Sequence, residues 1–60
     1  MNELIRDMIN YRARENISQR ELAARCNLTL QTINSVENGL QTPSKLTEAK
    51  IRLVIGGGEE

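Results

Sequence analysis

Gln19-Arg20-Glu21-Leu22-Ala23-Ala24-Arg25-Cys26-Asn27-Leu28-Thr29-Leu30-Gln31-Thr32-Ile33-Asn34-Ser35-Val36-Glu37-Asn38-Gly39 is the segment that decides the fold. Leu22, Ala23 and Cys26 stand at i, i+1 and i+4, one inward face of a short helix. Leu28 follows in a turn, and Ile33 and Val36 stand at i and i+3 on the next helix. Ala23 is small enough for the two helices to cross steeply at close range, where a Leu or Ile would push them apart. A short helix, a turn of three or four residues and a second helix held rigidly across it make a helix-turn-helix.

Capping chemistry extends the reading in both directions. Asn2 precedes Glu3-Leu4-Ile5 and caps a first helix. Ser18 is followed three residues later by Glu21, a capping box in which each side chain can serve the other residue's backbone N–H. Thr29 caps the third periodic run. Asn16 and Asn27 can take the left-handed conformation at helix ends, and Asn38-Gly39 closes the third helix. Thr42-Pro43-Ser44 forms a turn, with Pro43 at the edge of a fourth helix. The expected helices are residues 3–15, 19–26, 30–38 and 45–55, in an all-α bundle with short connections. The last is ambiguous. Ile51, Leu53 and Ile55 alternate as a strand would, whereas Thr47-Glu48-Ala49-Lys50 favours a helix running through them, and the helix is preferred.

Sixty residues make one small domain, which buries only about 60% of its unfolded surface. Tyr11 is the single aromatic residue, so the core is aliphatic. There is no His and one Cys, which excludes a disulfide framework, a zinc finger and His-based catalysis. Cys26 reads as a small core residue. No nucleophile–base pair or phosphate-cradling glycine loop is present, since Gly56-Gly57-Gly58 follows the last helix instead of opening one. An enzyme is not expected, nor a cofactor or metal. No apolar run approaches the roughly 20 residues of a membrane span, and Glu3 and Asp7 spoil any signal peptide. A reduced, cytoplasmic setting follows. Residues 1–56 are expected to form the domain and 57–60 a flexible Gly/acidic tail; Met1 and this ending lean toward a complete chain, the alternative being a domain excised from a longer regulator.

Eight basic residues balance eight acidic ones, which by itself argues against a phosphate-rich partner. Glu59 and Glu60 lie in the tail, so residues 1–58 carry eight positive and six negative charges. Where the charges sit then matters more than their sum. At about 100° per residue, Ile33, Val36 and Glu37 fall on the inward side of the third helix. Gln31, Asn34, Ser35 and Asn38 face outward. Four uncharged hydrogen-bonding side chains without a Lys or Glu are unusual for a solvated face. They suit the donor–acceptor edges of bases in the major groove.

These residues carry a resemblance. Ile17-Ser18-Gln19-Arg20-Glu21-Leu22-Ala23, Leu28-Thr29, Thr32-Ile33-Asn34-Ser35-Val36-Glu37-Asn38-Gly39 and Pro43-Ser44, with Arg12 seven residues before Gln19, resemble the lambda-repressor-like helix-turn-helix family, the Cro and XRE group. The likeness covers roughly residues 3–46. It implies a compact bundle of four or five helices that binds a double-stranded DNA operator, usually as a dimer. It also implies residue roles. Leu30, Gln31 and Ser35 match positions that reach base edges, with Asn34 beside them. Gln19 matches a position that touches a phosphate and steadies the base readers. Asn38 and the Gln41-Thr42 loop match the backbone-contacting stretch, and Lys45 is expected to meet phosphate as well. Arg12 and Glu37 match positions that often form a buried or half-buried ion pair.

The departures also carry expectations. Asn27 stands where the family commonly has Gly, and Leu30 where it often has a polar reader. Leu40-Gln41-Thr42 lacks the Lys or Arg of many relatives, which predicts weaker, less salt-sensitive binding per subunit. Apolar residues are in surplus. Ile5 and Ile9 form a second stripe beside Leu4, Met8 and Tyr11; Leu46, Ala49 and Leu53 form one apart from Ile51 and Ile55. One small core cannot easily cover all four, which points to a homodimer through the C-terminal element, helix 1 or both. Repression is expected over activation, since no acidic activating surface is present. The competing reading is a protein-interaction module of the same fold, an antitoxin or accessory regulator, favoured by the zero net charge and the extra apolar stripes.

Overall fold

A computed structural model describes residues 2–56; the expected 57–60 tail lies outside the described residues. Four helices follow in order: α1 (Glu3–Glu15), α2 (Gln19–Cys26), α3 (Leu30–Glu37) and α4 (Lys45–Ile55). Among the described residues there is no strand. The stretch that could have alternated as a strand is helix, because Ile51 and Ile55, four apart, then point together into the core. α3 ends one residue earlier than its periodicity suggested, with Asn38 as its cap.

Each helix begins at a side-chain cap. Asn2 Oδ1 accepts from the Ile5 N–H at 2.8 Å, Ser18 Oγ from Glu21 at 3.1 Å, Thr29 Oγ1 from Thr32 at 3.1 Å and Ser44 Oγ from Thr47 at 3.1 Å. The box at Ser18 forms only in half. Glu21 does not reach back; its carboxylate takes the Arg25 Nε–H at 3.3 Å, an ion pair one turn on. Pro43 stands outside α4, before the capping Ser44.

The first three helices end alike. Asn16 and Asn27 are left-handed (φ 57° and 59°), as is Gly39 (φ 72°). The following N–H returns to the helix each time: Ile17 to Arg12 O at 3.0 Å, Leu28 to Ala23 O at 2.9 Å and Leu40 to Ser35 O at 2.9 Å. These are Schellman closures, whose trailing residue commonly packs back on the helix. Ile17 and Leu28 do so against the core, whereas Leu40 stays 76% exposed.

Met8, Leu22, Ile33, Val36 and Ile51 are the largest fully buried side chains, and every helix contributes one. Leu4, Ala23, Cys26 and Ile55 complete the core, and Tyr11, Ile17, Leu28 and Val54 pack at its margin. α2 packs chiefly on α3, and α4 closes the bundle against α1 and α2. Asp7 of α1 and Arg52 of α4 join across that closure at 2.8 Å. The spare stripes divide: Ile5 is buried, Ile9 is partly exposed, and Leu46 and Leu53 lie 68% and 86% exposed with Ala49 between them.

Candidate nucleic-acid interface

The site is organised from a buried charge outward. Glu37, in the last turn of α3, has a side chain only 4% exposed. Its Oε2 accepts from Arg12 Nε and its Oε1 from Arg12 Nη2, both at 2.9 Å. This two-toothed pairing matches the guanidinium fork and fastens α1 to α3. It holds the Arg12 proton more tightly than usual, the hydrogen bond to Glu37 outweighing desolvation. Arg12 also reaches the Ile17 carbonyl at 3.4 Å, so one side chain ties α1, α3 and the α1–α2 turn.

Gln19 opens α2 and continues the chain of contacts. Its Nε2 donates to Glu37 Oε1 at 3.0 Å, and its Oε1 accepts from Asn34 Nδ2 at 3.1 Å. The buried pair is therefore linked through Gln19 to the surface of α3. The resemblance anticipates the half of this link that steadies α3; the half that reaches Glu37 needs three helices in place. Among the described residues, no buried side-chain nitrogen or oxygen is left unpartnered.

The expected reading face is mostly open. Gln31, Asn34 and Asn38 are exposed, and Leu30 is 37% exposed at the start of the helix. Ser35 departs from the expected fully outward placement and is half-buried, on the side where the chain reverses at Gly39 and Leu40 bonds back to its carbonyl. Gln41, Thr42 and Lys45 are exposed beyond the helix, and Gln19 is half-buried. No acidic residue lies in the first turn of α3 and no basic one in its last.

The cations are unevenly committed. Arg12, Arg25 and Arg52 hold carboxylates at 2.8–3.3 Å and Arg6 meets Glu3 at 3.8 Å. Arg25 serves the Tyr11 hydroxyl, Glu15 and Glu21 together, which raises its pKa, the Tyr11 hydrogen bond most. Arg14 lies over the Tyr11 ring, 5.6 Å from its centre. Arg20, Lys45 and Lys50 form no ion pair with other described residues. Arg20, beside Gln19 at the start of α2, was not singled out by pattern. Its signal is the absence of a carboxylate partner, visible only once the helices are placed.

Among the described residues no three His, Cys, Asp or Glu side chains group as a metal site would need. No helix is long and apolar enough to cross a membrane. A family model described as helix-turn-helix matches residues 8–53. No curated protein and no solved structure matches the chain.

Proposed function

The chain belongs to the lambda-repressor-like, or XRE, helix-turn-helix family of DNA-binding regulators, and from that premise we propose that it is a sequence-specific repressor laying α3 in the major groove of an operator. The observation that carries this is the surface of α3, where Gln31, Asn34 and Asn38 stand exposed without a charge among them. Amide side chains of this kind pair with base edges, adenine above all. Leu30, Gln31, Asn34 and Ser35 are the base-contacting residues. Gln19, Asn38, Gln41, Thr42 and Lys45 meet the phosphates. Binding to genomic DNA puts the protein in the cytoplasm.

The working unit is a homodimer. One copy offers few unpaired cations, and two half-sites supply by linkage the affinity that one lacks. The apolar face of α4, with Leu46, Ala49 and Leu53, and the exposed Leu40 in the loop before α4 support this.

Selection from a random DNA pool is the test. Enrichment of a two-fold sequence supports the reading, and no enrichment overturns it. Gln31→Ala should relax one base position and cost about 1–3 kcal/mol, while Lys45→Ala weakens all sequences alike. The exposed Leu40, Leu46 and Leu53 also favour a second reading, a protein-interaction module of the same fold. Sequence-selective binding to DNA that weakens as salt rises excludes it.

A further inference from the structure

We propose that Asn38-Gly39 is a site of spontaneous chemical modification, at which the main-chain nitrogen of Gly39 attacks the Asn38 side-chain amide and the residue becomes a carboxylate, with water as the co-reactant. Hydroxide removes the Gly39 N–H proton, and the nitrogen bonds to Asn38 Cγ. The Cγ–Nδ2 bond breaks, takes a proton from water and releases ammonia, leaving a cyclic imide. Water then opens the ring. Cleavage between the Gly39 nitrogen and Cγ leaves an aspartate at position 38. Cleavage at the main-chain carbonyl leaves an isoaspartate, whose chain runs on through the side-chain carbon. The sequence decides where this happens. Gly39 has no side chain to crowd its nitrogen, whereas the other described asparagines are followed by Glu3, Tyr11, Ile17, Leu28 or Ser35.

The fold decides when it happens. Asn38 is exposed, but with α3 closed its ψ is 1°, which turns the Gly39 nitrogen toward the residue's own nitrogen and away from its side chain. The Gly39 N–H is also held by Val36 O at 3.1 Å. Attack therefore waits for the last turn of α3 to open. Of the three Schellman closures this one lacks apolar backing: Ile17 and Leu28 pack on the core behind theirs, and Leu40 is 76% exposed. Helix ends so little buttressed open readily. The product matters at this place. A carboxylate at the carboxyl end of α3 opposes the helix dipole, and isoaspartate adds a main-chain atom that misaligns the Leu40 N–H with Ser35 O. On the DNA-binding reading above, on which this consequence rests, the new charge also faces phosphate. Free protein then ages out of function, while protein held on its operator keeps the turn closed and is spared.

The test is peptide mapping by mass spectrometry of the full chain held in mildly alkaline buffer. The mass gain of an amide become an acid should collect at residue 38 before any other asparagine, divide between aspartate and isoaspartate, and quicken with hydroxide. Conversion first at another asparagine, or at none, overturns the proposal. Unfolding in guanidinium chloride should speed conversion at residue 38 severalfold; an unchanged rate overturns the gating by α3. Asn38→Gln, whose longer side chain closes a less favourable ring, should stay intact under the same conditions. Asn38→Asp changes an exposed position and leaves the core alone. It should bind the selected operator roughly tenfold more weakly, as like charges set together do, and saturating operator should slow conversion of the parent chain severalfold. Equal binding by Asn38→Asp overturns the functional consequence. The mass readings need no DNA, so the two levels separate: if no sequence is enriched, the operator reading fails while the chemistry at residue 38 is still decided by mass.

Discussion

Glu37 holds a carboxylate where water cannot reach it, and its stability rests wholly on the groups that touch it. Glu37→Ala leaves the Arg12 charge without its partner. Unfolding should then cost about 3 kcal/mol less, the lower end for a broken buried pair because Arg12 keeps some contact with water. Replacing both partners with apolar residues, Arg12→Met with Glu37→Leu, should recover most of that loss in a denaturant melt. Cys26 gives a pH prediction. Burial raises its thiol pKa, so the folded chain keeps a proton that the unfolded chain releases as pH climbs past the ordinary thiol range. Stability must therefore fall over that alkaline interval. Melting temperatures of wild type and Cys26→Ala should show a smaller alkaline decline in the variant. The inward placement of Glu37 and Cys26 was legible from helical spacing. That Gln19 steadies a residue of α3 was legible only through the family resemblance, and its bond to Glu37 was not, since it joins residues 18 positions apart.

The helices were legible because their ends are written locally. A cap needs one residue and the N–H three positions on, so Asn2, Ser18 and Thr29 could each be read in isolation. Ser18→Ala and Ser44→Ala should each cost about 1 kcal/mol. Glu21→Ala should cost less than about 0.5 kcal/mol, as an exposed ion pair does, because the return half of the box is unmade; chemical denaturation of the three variants checks this. Asn16→Ala and Asn27→Ala should each cost about 1 kcal/mol for the left-handed backbone they must hold, while Gly at either position is tolerated. The last helix was less legible. Its β-branched residues satisfy two periodicities, and the choice falls to the core, which takes Ile51 and Ile55 from one helical face.

At the scale of the molecule, zero net charge proved a poor guide, because ion pairing within the fold engages four of the six arginines and leaves Arg20 and Lys45 without a carboxylate partner among the described residues. Salt titration of operator binding should give a log–log slope of about −2 per subunit, and Thr42→Lys should steepen it by about one while tightening binding. Which apolar stripes would be covered was not legible either, since it depends on how α1 and α4 settle against each other. Leu53→Lys, at the most exposed of the apolar positions on α4, should abolish the proposed self-association in sedimentation while leaving the melting curve in place. The fully buried Ile51 has one more consequence. Ribosomes make protein from the amino end, so this keystone of the interior emerges after α1, α2 and α3 have left the tunnel. A nascent chain halted before residue 51 bares Met8, Leu22 and Ile33 to water. Such fragments should be cleared by cellular proteases, which makes any premature stop upstream of α4 equivalent to losing the gene.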